Sequence, residues 1–227
     1  MIDFSAIPVV SYVFFGLAVA VSLVHLVFCF REMELPRKIT KGFCTGFLVI
    51  ALAFYIPKYP LIYVGLALGC LGDIFLLKKH KVWPFALGMI SFLVGHILYI
   101  AQMMIIAKPD HYAYYVATGV YVVLFTVIMF RFINKICRMK GLALGGTVYF
   151  AVLSLDLIWA IICCARGHVD HCILSVFGAI CFLASDIILS YTSFVSNRKR
   201  RDFYIMSTYI LAQMLLTLGL AFTVAAI

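Results

Sequence analysis

Two aspartates lie inside apolar segments that are long enough to cross a membrane. Asp73 stands in the sequence L-G-D-I-F-L and Asp186 stands in A-S-D-I-I-L. A carboxylate at the centre of a bilayer costs about 2.5 to 3.5 kcal/mol on insertion scales, so an acidic residue there indicates a functional site. Two such residues in related sequences predict a paired site, in which one carboxyl group donates a proton and the other is ionised.

The composition of the chain indicates a membrane protein. Hydrophobic residues make up 66% of the 227 residues, and charged residues make up 12%. Soluble domains contain about 45 to 50% apolar and about 25% charged residues, so this class is excluded. A membrane-spanning helix needs about 20 mostly apolar residues. Eight segments fit this description: 8–30, 40–56, 61–77, 84–106, 112–130, 142–165, 172–194 and 203–226. Because the links between them are short, we predict one all-α domain, residues 1–227, of eight transmembrane helices.

Basic residues are concentrated in every second link. Fifteen of the 18 Lys and Arg residues fall in the links after the first, third, fifth and seventh segments. Cytoplasmic links of membrane proteins carry an excess of Lys and Arg. The pattern therefore predicts that the odd-numbered links are cytoplasmic and that both termini lie on the opposite side of a bacterial plasma membrane or endoplasmic reticulum membrane. It also accounts for the net charge of +9 without a nucleic-acid partner.

A short sequence repeat follows the two aspartates. The segment after Asp73 contains Y-I-A-Q-M at 99–103, and the segment after Asp186 contains Y-I-L-A-Q-M at 209–214. The second copy is offset from the first by four predicted helices, which gives the two copies the same orientation and fits a parallel repeat of four plus four helices. Chance similarity between apolar segments is the alternative. In a true repeat the two aspartates would face one cavity, with their carboxyl groups within about 10 Å of each other.

Other polar side chains share helix faces near this predicted site. His96 and Tyr99 are three residues apart, and Tyr209 and Gln213 are four apart, so each pair lies on one helix face. The remaining candidates are Tyr149, Ser185 and Ser207, with Asp156 as a secondary candidate at a different depth. Such groups orient water or substrate, or they hold neighbouring helices together by hydrogen bonds. For His96 a catalytic role and an interhelical hydrogen bond are both open.

The sequence predicts neither a metal site nor a cofactor. The eight cysteines show no metal-ligand spacing. Cys163 and Cys164 are adjacent, so their side chains point about 100° apart on a helix. Only His25 and His96 lie within predicted spans, which is too few for a three-histidine zinc site. The predicted chemistry therefore rests on the two carboxyl groups.

Four motifs follow one another along the chain: G-D-I-F-L at 72–76, F-x-x-G-H-I-L-Y at 92–99, F-L-A-S-D-I-I-L at 182–189 and Y-I-M-S-T-Y-I-L-A-Q-M-L at 204–215. In this order they resemble the YhhN-like lysoplasmalogenase family of eight-span membrane proteins. The resemblance implies site positions at Asp73, His96, Tyr99, Ser185, Asp186, Ser207, Tyr209 and Gln213.

The resemblance also implies a reaction, the hydrolysis of the vinyl ether bond of a lysoplasmalogen. The products would be a fatty aldehyde and glycerophosphocholine or glycerophosphoethanolamine, and the partners would be a lysophospholipid substrate and membrane lipid. A vinyl ether hydrolyses when an acid protonates the carbon β to the ether oxygen and water attacks the resulting oxocarbenium ion. Two aspartates in one cavity suit this chemistry, because one can serve as acid and the other as base.

Other functions remain open at this point. The main alternative is a small transporter or proton-coupled channel, because buried acids in a duplicated bundle are also typical of transporters. An intramembrane aspartyl protease is less favoured, since its second acid typically follows a G-x-G sequence and Asp186 follows Ala184-Ser185. A cavity that opens sideways into lipid would indicate the hydrolase, whereas a passage between both aqueous sides would indicate the transporter.

Overall fold

The computed structural model describes residues 7–78, 82–136, 140–194 and 199–227, and these residues form an all-α bundle. Its helices are α1 (Val9–Phe30), α2 (Glu34–Tyr55), α3 (Pro60–Phe75), α4 (Val82–Ala107), α5 (Ala113–Ile136), α6 (Lys140–Cys163), α7 (Val169–Phe194) and α8 (Arg201–Ala226). A 3-10 turn at Leu76–Lys78 follows α3, and a π-helical turn at Cys164–His168 joins α6 to α7. The predicted all-α class is confirmed.

The helix ends agree with the predicted segments except at two places. α2 begins at Glu34, earlier than the predicted start at residue 40, and α5 continues to Ile136 instead of ending at residue 130. Glu34 favours the early start of α2, because an acid in the first turn interacts well with the helix dipole and here lies 2.5 Å from Lys38. Lys41, which was counted with the basic residues of the first link, therefore lies about two turns inside α2.

Seven of the helices among the described residues are long and apolar enough to cross a membrane. The protein is therefore a multi-pass membrane protein. The exception is α3, which has 16 residues and begins with Pro60 at its first position, where proline is well tolerated. Because a perpendicular span needs about 20 residues, the eighth crossing remains a prediction.

Contacts between the links identify two ends of the bundle. The Glu32 Oε1 atom, in the turn after α1, accepts a hydrogen bond from the Arg200 amide before α8 at 3.0 Å. At the opposite end Arg166, in the turn after α6, lies 2.7 Å from the Asp110 carboxylate after α4. The links after α1 and α7 thus share one end, the odd-link end, and those after α4 and α6 share the other, the even-link end.

Glycines allow the closest helix contacts. A Cβ added to Gly95 of α4 would lie 2.7 Å from the Gly65 carbonyl oxygen of α3, and one added to Gly178 of α7 would lie 2.4 Å from the Leu216 amide nitrogen of α8. The pairs α3–α4 and α7–α8 therefore pack backbone to backbone, as small residues permit in membranes. Gly65 and Gly178 each precede an aspartate of the predicted site by eight residues. This shared spacing fits the proposed repeat, which remains a prediction.

Replacement of Gly178 by alanine is expected to destabilise the protein. In a helix interior the change from glycine to alanine by itself stabilises by roughly 0.5 to 1 kcal/mol. At Gly178 the new methyl group would collide with the backbone of Leu216, and such overpacking typically costs about 1 to 3 kcal/mol. Thermal unfolding in detergent should show a lower midpoint for this variant. The control is Gly16→Ala, since Gly16 has nothing within 4 Å of an added Cβ; equal midpoints for the two variants would contradict the packing argument.

Candidate active site

A cavity of about 890 Å³ lies between the helices in the half of the bundle near the odd-link end. Asp73 and Asp186 both line it, although they stand on α3 and α7. The structure therefore brings the two predicted residues to one cavity. Most of the remaining lining is apolar, including Phe92, Leu183 and Met206. The two carboxyl groups are therefore placed in a mainly hydrocarbon environment, where direct charge interactions are strong.

Asp73 has three side-chain partners, one of them positively charged. The Tyr209 hydroxyl donates to its Oδ2 atom at 2.7 Å, and the Thr45 hydroxyl donates to the same atom at 3.4 Å. The Lys41 ammonium lies 3.2 Å from Oδ1. Asp73 is 2% exposed, so this ion pair is buried in the bundle. A buried carboxylate with an ammonium and two hydroxyl donors has its charge balanced and its acceptor sites used.

Asp186 has different surroundings. The Tyr149 hydroxyl of α6 donates a short hydrogen bond to its Oδ2 atom. Asp186 is 7% exposed and lines the cavity, yet in the described part of the chain no cationic side chain lies within ion-pair distance of it. The two aspartates thus share a cavity and differ in their partners: Asp73 is ion-paired, and Asp186 is bound by a neutral hydroxyl.

Lys41 and Thr45 are site residues that the sequence reasoning missed. Lys41 was counted with the basic residues of the link after the first segment, although the predicted second segment, 40–56, includes it. In the structure it stands in α2, one turn before Thr45, and both side chains reach Asp73. The available signal was the spacing: a lysine and a threonine four residues apart lie on one helix face.

Gln213 and Tyr99 extend the hydrogen bonds of Asp73 away from the cavity. The Gln213 amide nitrogen donates to the Tyr209 hydroxyl at 3.3 Å, and the Tyr99 hydroxyl donates to the Gln213 amide oxygen at 3.4 Å. Gln213 and Tyr99 are buried and do not line the cavity. Gln213 and Tyr99 are therefore placed to hold the Tyr209 hydroxyl in position, and that hydroxyl in turn orients the Asp73 carboxylate.

His96 pairs with Asp156. Its Nδ1 atom lies 3.0 Å from the Asp156 Oδ2 atom, and each residue is 1% exposed. The Phe182 ring packs edge-on against the imidazole, with ring centroids 4.3 Å apart. Neither His96 nor Asp156 lines the cavity. The structure therefore places these two residues in a buried pair between α4 and α6, beside the cavity.

The two candidate serines have unequal positions. Ser185 lines the cavity and donates to the Ile205 carbonyl of α8 at 3.2 Å, so it ties α7 to α8 next to Asp186. Ser207 donates to the Tyr204 carbonyl of its own helix at 3.1 Å and does not line the cavity. Of the serines predicted for the site, only Ser185 is brought to the aspartates.

A metal centre does not emerge from the same geometry. Over the ranges that the structure describes, no group of three or more His, Cys, Asp or Glu side chains is arranged to hold a metal ion. What the cavity offers is one ion-paired carboxylate, one carboxyl group bound by a hydroxyl, and an apolar wall. Carboxyl pairs of this kind perform acid and base catalysis on bonds that need protonation.

The bundle and its cavity define a class, the polytopic membrane proteins with a pair of carboxyl groups in a cavity between the helices. Residues 37–220 match the model of the YhhN family, and the chain belongs to this family. The match includes every residue named above around the two aspartates. No curated protein and no solved structure matches the chain.

Proposed function

We propose that this protein is a lysoplasmalogenase, a membrane hydrolase that cleaves the vinyl ether bond of lysoplasmalogens. The products are a fatty aldehyde and a glycerophospho-base. The observation that carries the proposal is the pair of buried carboxyl groups with unequal partners on one apolar cavity. Membership of the YhhN family, which the sequence resemblance links to this reaction, supports it.

We assign the proton-donor role to Asp186 and the anionic role to Asp73. Lys41 stabilises the ionised form of its partner by direct charge attraction, whereas among the described residues it is a neutral hydroxyl that donates to Asp186. In the first step the Asp186 proton adds to the carbon β to the ether oxygen, and the π electrons of the vinyl group form the new C–H bond. The adjacent carbon and the ether oxygen then share a positive charge, which the Asp73 carboxylate stabilises.

Water completes the reaction. Its oxygen attacks the electrophilic carbon and gives a hemiacetal, while a water proton passes to a carboxylate of the pair. The bond between the hemiacetal carbon and the glycerol oxygen then breaks, and the glycerol oxygen takes up a proton. The hemiacetal hydroxyl group loses its proton and becomes the carbonyl group of the aldehyde. One water is consumed, no net proton is used, and both carboxyl groups return to their starting states.

The packing of the other half of the bundle favours an enzyme over the transporter alternative. Near the even-link end the space between the helices is filled by large buried side chains, among them Ile62, Trp159 and Leu220. The cavity with the aspartates lies in the half near the odd-link end. A continuous passage between two aqueous sides would have to cross this apolar core.

The direct test is aldehyde release by the purified protein from a lysoplasmalogen in detergent micelles. The matched control substrate is the saturated 1-O-alkyl lysophospholipid, which has the same headgroup and chain but no vinyl group to protonate. We expect aldehyde from the first lipid and none from the second. A folded, monodisperse protein that releases no aldehyde would overturn the proposed activity.

We further propose that the odd-link end faces the cytoplasm, because most basic residues lie there. In a variant without native cysteines, a single cysteine at Lys199 should react with a membrane-impermeant maleimide only after the membrane is opened. A cysteine at Lys58, in the link after α2, should react in intact cells or vesicles of native orientation. The opposite labelling pattern would reverse the assigned orientation.

A further inference from the structure

The cavity reaches the outer surface of the bundle between α5 and α7. Four of its lining residues mark this place, which we name the α5–α7 opening: Phe125 and Met129 of α5, and Ile187 and Tyr191 of α7. Ile187 is 58% exposed and Tyr191 is 43% exposed, although both line the cavity. A side chain that faces both the cavity and the outside lies at an opening. This opening is on the membrane-spanning surface of the bundle.

The arrangement of α5 leaves room for this opening. α5 packs mainly against α6, and α7 packs against α6 and α8. Phe125 and Met129 are one helical turn apart, so both half-buried side chains lie on the inner face of α5. Ile187 and Tyr191 are likewise one turn apart on α7. The two helices therefore present paired apolar and aromatic side chains on either side of a gap whose floor is α6.

Gly146 stands on that floor. It lines the cavity one turn before Tyr149, the partner of Asp186, and a Cβ added to it would have nothing within 4 Å. By contrast, Gly178 and Gly95 are glycines because a neighbouring backbone fills the space. At Gly146 no side chain fills the space, and this residue lines the same cavity as the α5–α7 opening and the carboxyl pair.

From this geometry we infer that the α5–α7 opening and the free space next to Gly146 hold the hydrocarbon chain of a single-chain lipid. This lipid reaches the site laterally from the bilayer. The inference rests on the proposed function and adds where the chain lies and how it arrives. A hydrocarbon chain that moves from lipid into an apolar cavity through a membrane-facing gap stays out of water, which avoids the cost of exposing apolar surface. The vinyl ether bond lies at the polar end of that chain, which is the end placed at the carboxyl pair.

Gly146 then determines which chains are accepted. Apolar pockets discriminate chain size by filled volume, and one methylene is worth about ten-fold to 200-fold in selectivity. A phenylalanine at position 146 would occupy the open volume and shorten the space available to the chain. Long-chain lipids should therefore bind at least tenfold more weakly to Gly146→Phe, while the shortest chains lose less.

The test uses a 1-O-alkyl lysophosphocholine that carries a diazirine near the end of its chain. This lipid has no vinyl group, so its binding does not depend on hydrolysis. After illumination of the wild-type protein in nanodiscs, peptide mapping should find the label on Phe125, Met129, Ile187 or Tyr191, and excess unlabelled lipid should compete. Label spread evenly over the lipid-facing helix surfaces, without competition, would overturn the inference.

Two variants sharpen the result. Gly146→Phe should lose most of the competed label, and Gly16→Phe should keep it, because Gly16 has equal free space and lies outside the cavity. The melting midpoint will show whether Gly146→Phe is folded. If it is not, the labelled positions in the wild-type protein still test the inference. If a second copy of the chain covers the opening instead, cross-linked dimers through α5 and α7 with no lipid label there would also overturn the inference. Competed labelling without aldehyde release would refute the hydrolase and leave the lipid site standing.

Discussion

The variants Asp73→Asn and Asp186→Asn are each expected to reduce aldehyde release by about 10² to 10⁴-fold, the usual contribution of a general acid or base. Asparagine keeps the size of the side chain and can neither donate an acidic proton nor carry the negative charge. Both residues line one cavity, so each change acts at the reacting bond. The measurement is the initial rate of aldehyde formation, with size-exclusion profiles to show that the variants fold. A residual rate above about a tenth of wild type in either variant would refute the paired mechanism.

Two neighbouring changes serve as controls for this experiment. His96→Ala and Gln213→Ala should reduce the rate less than the aspartate variants, because His96 pairs with Asp156 outside the cavity and Gln213 contacts Tyr209. If His96→Ala instead matched the aspartate variants, His96 would become the general base and one aspartate would be reduced to electrostatic stabilisation.

The variant Lys41→Met is expected to lower both stability and activity. It leaves the buried Asp73 without its only ion-pair partner among the described residues. Removing one member of a buried ion pair typically costs about 3 to 5 kcal/mol. Because an unpaired carboxylate in apolar surroundings tends to take up a proton, the negative charge proposed for catalysis is lost with it. The midpoint temperature of thermal unfolding and the rate of aldehyde release should therefore both decrease.

A double variant separates the two effects. Lys41→Met combined with Asp73→Asn contains no unpaired charge, so its melting midpoint should recover toward wild type while the rate stays low. Lys58→Met removes a lysine from an exposed position in the link after α2 and should change neither quantity. Wild-type stability and rate in Lys41→Met would show that Asp73 does not depend on this ion pair.

The spans and the meeting of the two aspartates were predictable from the sequence, because both follow from the cost of placing polar groups in a bilayer. Apolar segments of sufficient length gave helix positions within a few residues at most ends. Asp73 and Asp186 had to face the bundle interior, since either would be expensive in contact with lipid. The predicted third segment, 61–77, extends two residues beyond the end of α3, because a 3-10 turn begins at Leu76.

The partners of the aspartates could not be predicted in the same way. Lys41 was counted with a link because charge usually marks a helix end, and only its contact with α3 shows that it lies beside Asp73. The Tyr149 contact with Asp186 and the His96 contact with Asp156 depend on how α6 packs against α7 and α4. No spacing within one helix specifies such pairs, and the predicted repeat would have given the two aspartates similar surroundings.

Lys41 and Asp73 are synthesised before five of the eight helices exist. They stand on neighbouring helices and lie 3.2 Å apart, whereas Tyr209, the closest hydroxyl partner of Asp73, follows 136 residues later. Proteins fold from the N-terminal side as they are made. We predict that α3 also crosses the bilayer, and on its entry Lys41 would be the charged partner already present to offset the cost of burying a carboxylate in a helix of only 16 residues. The ion pair that distinguishes Asp73 from Asp186 in the finished bundle is thus expected to assist the insertion of the third helix during biosynthesis.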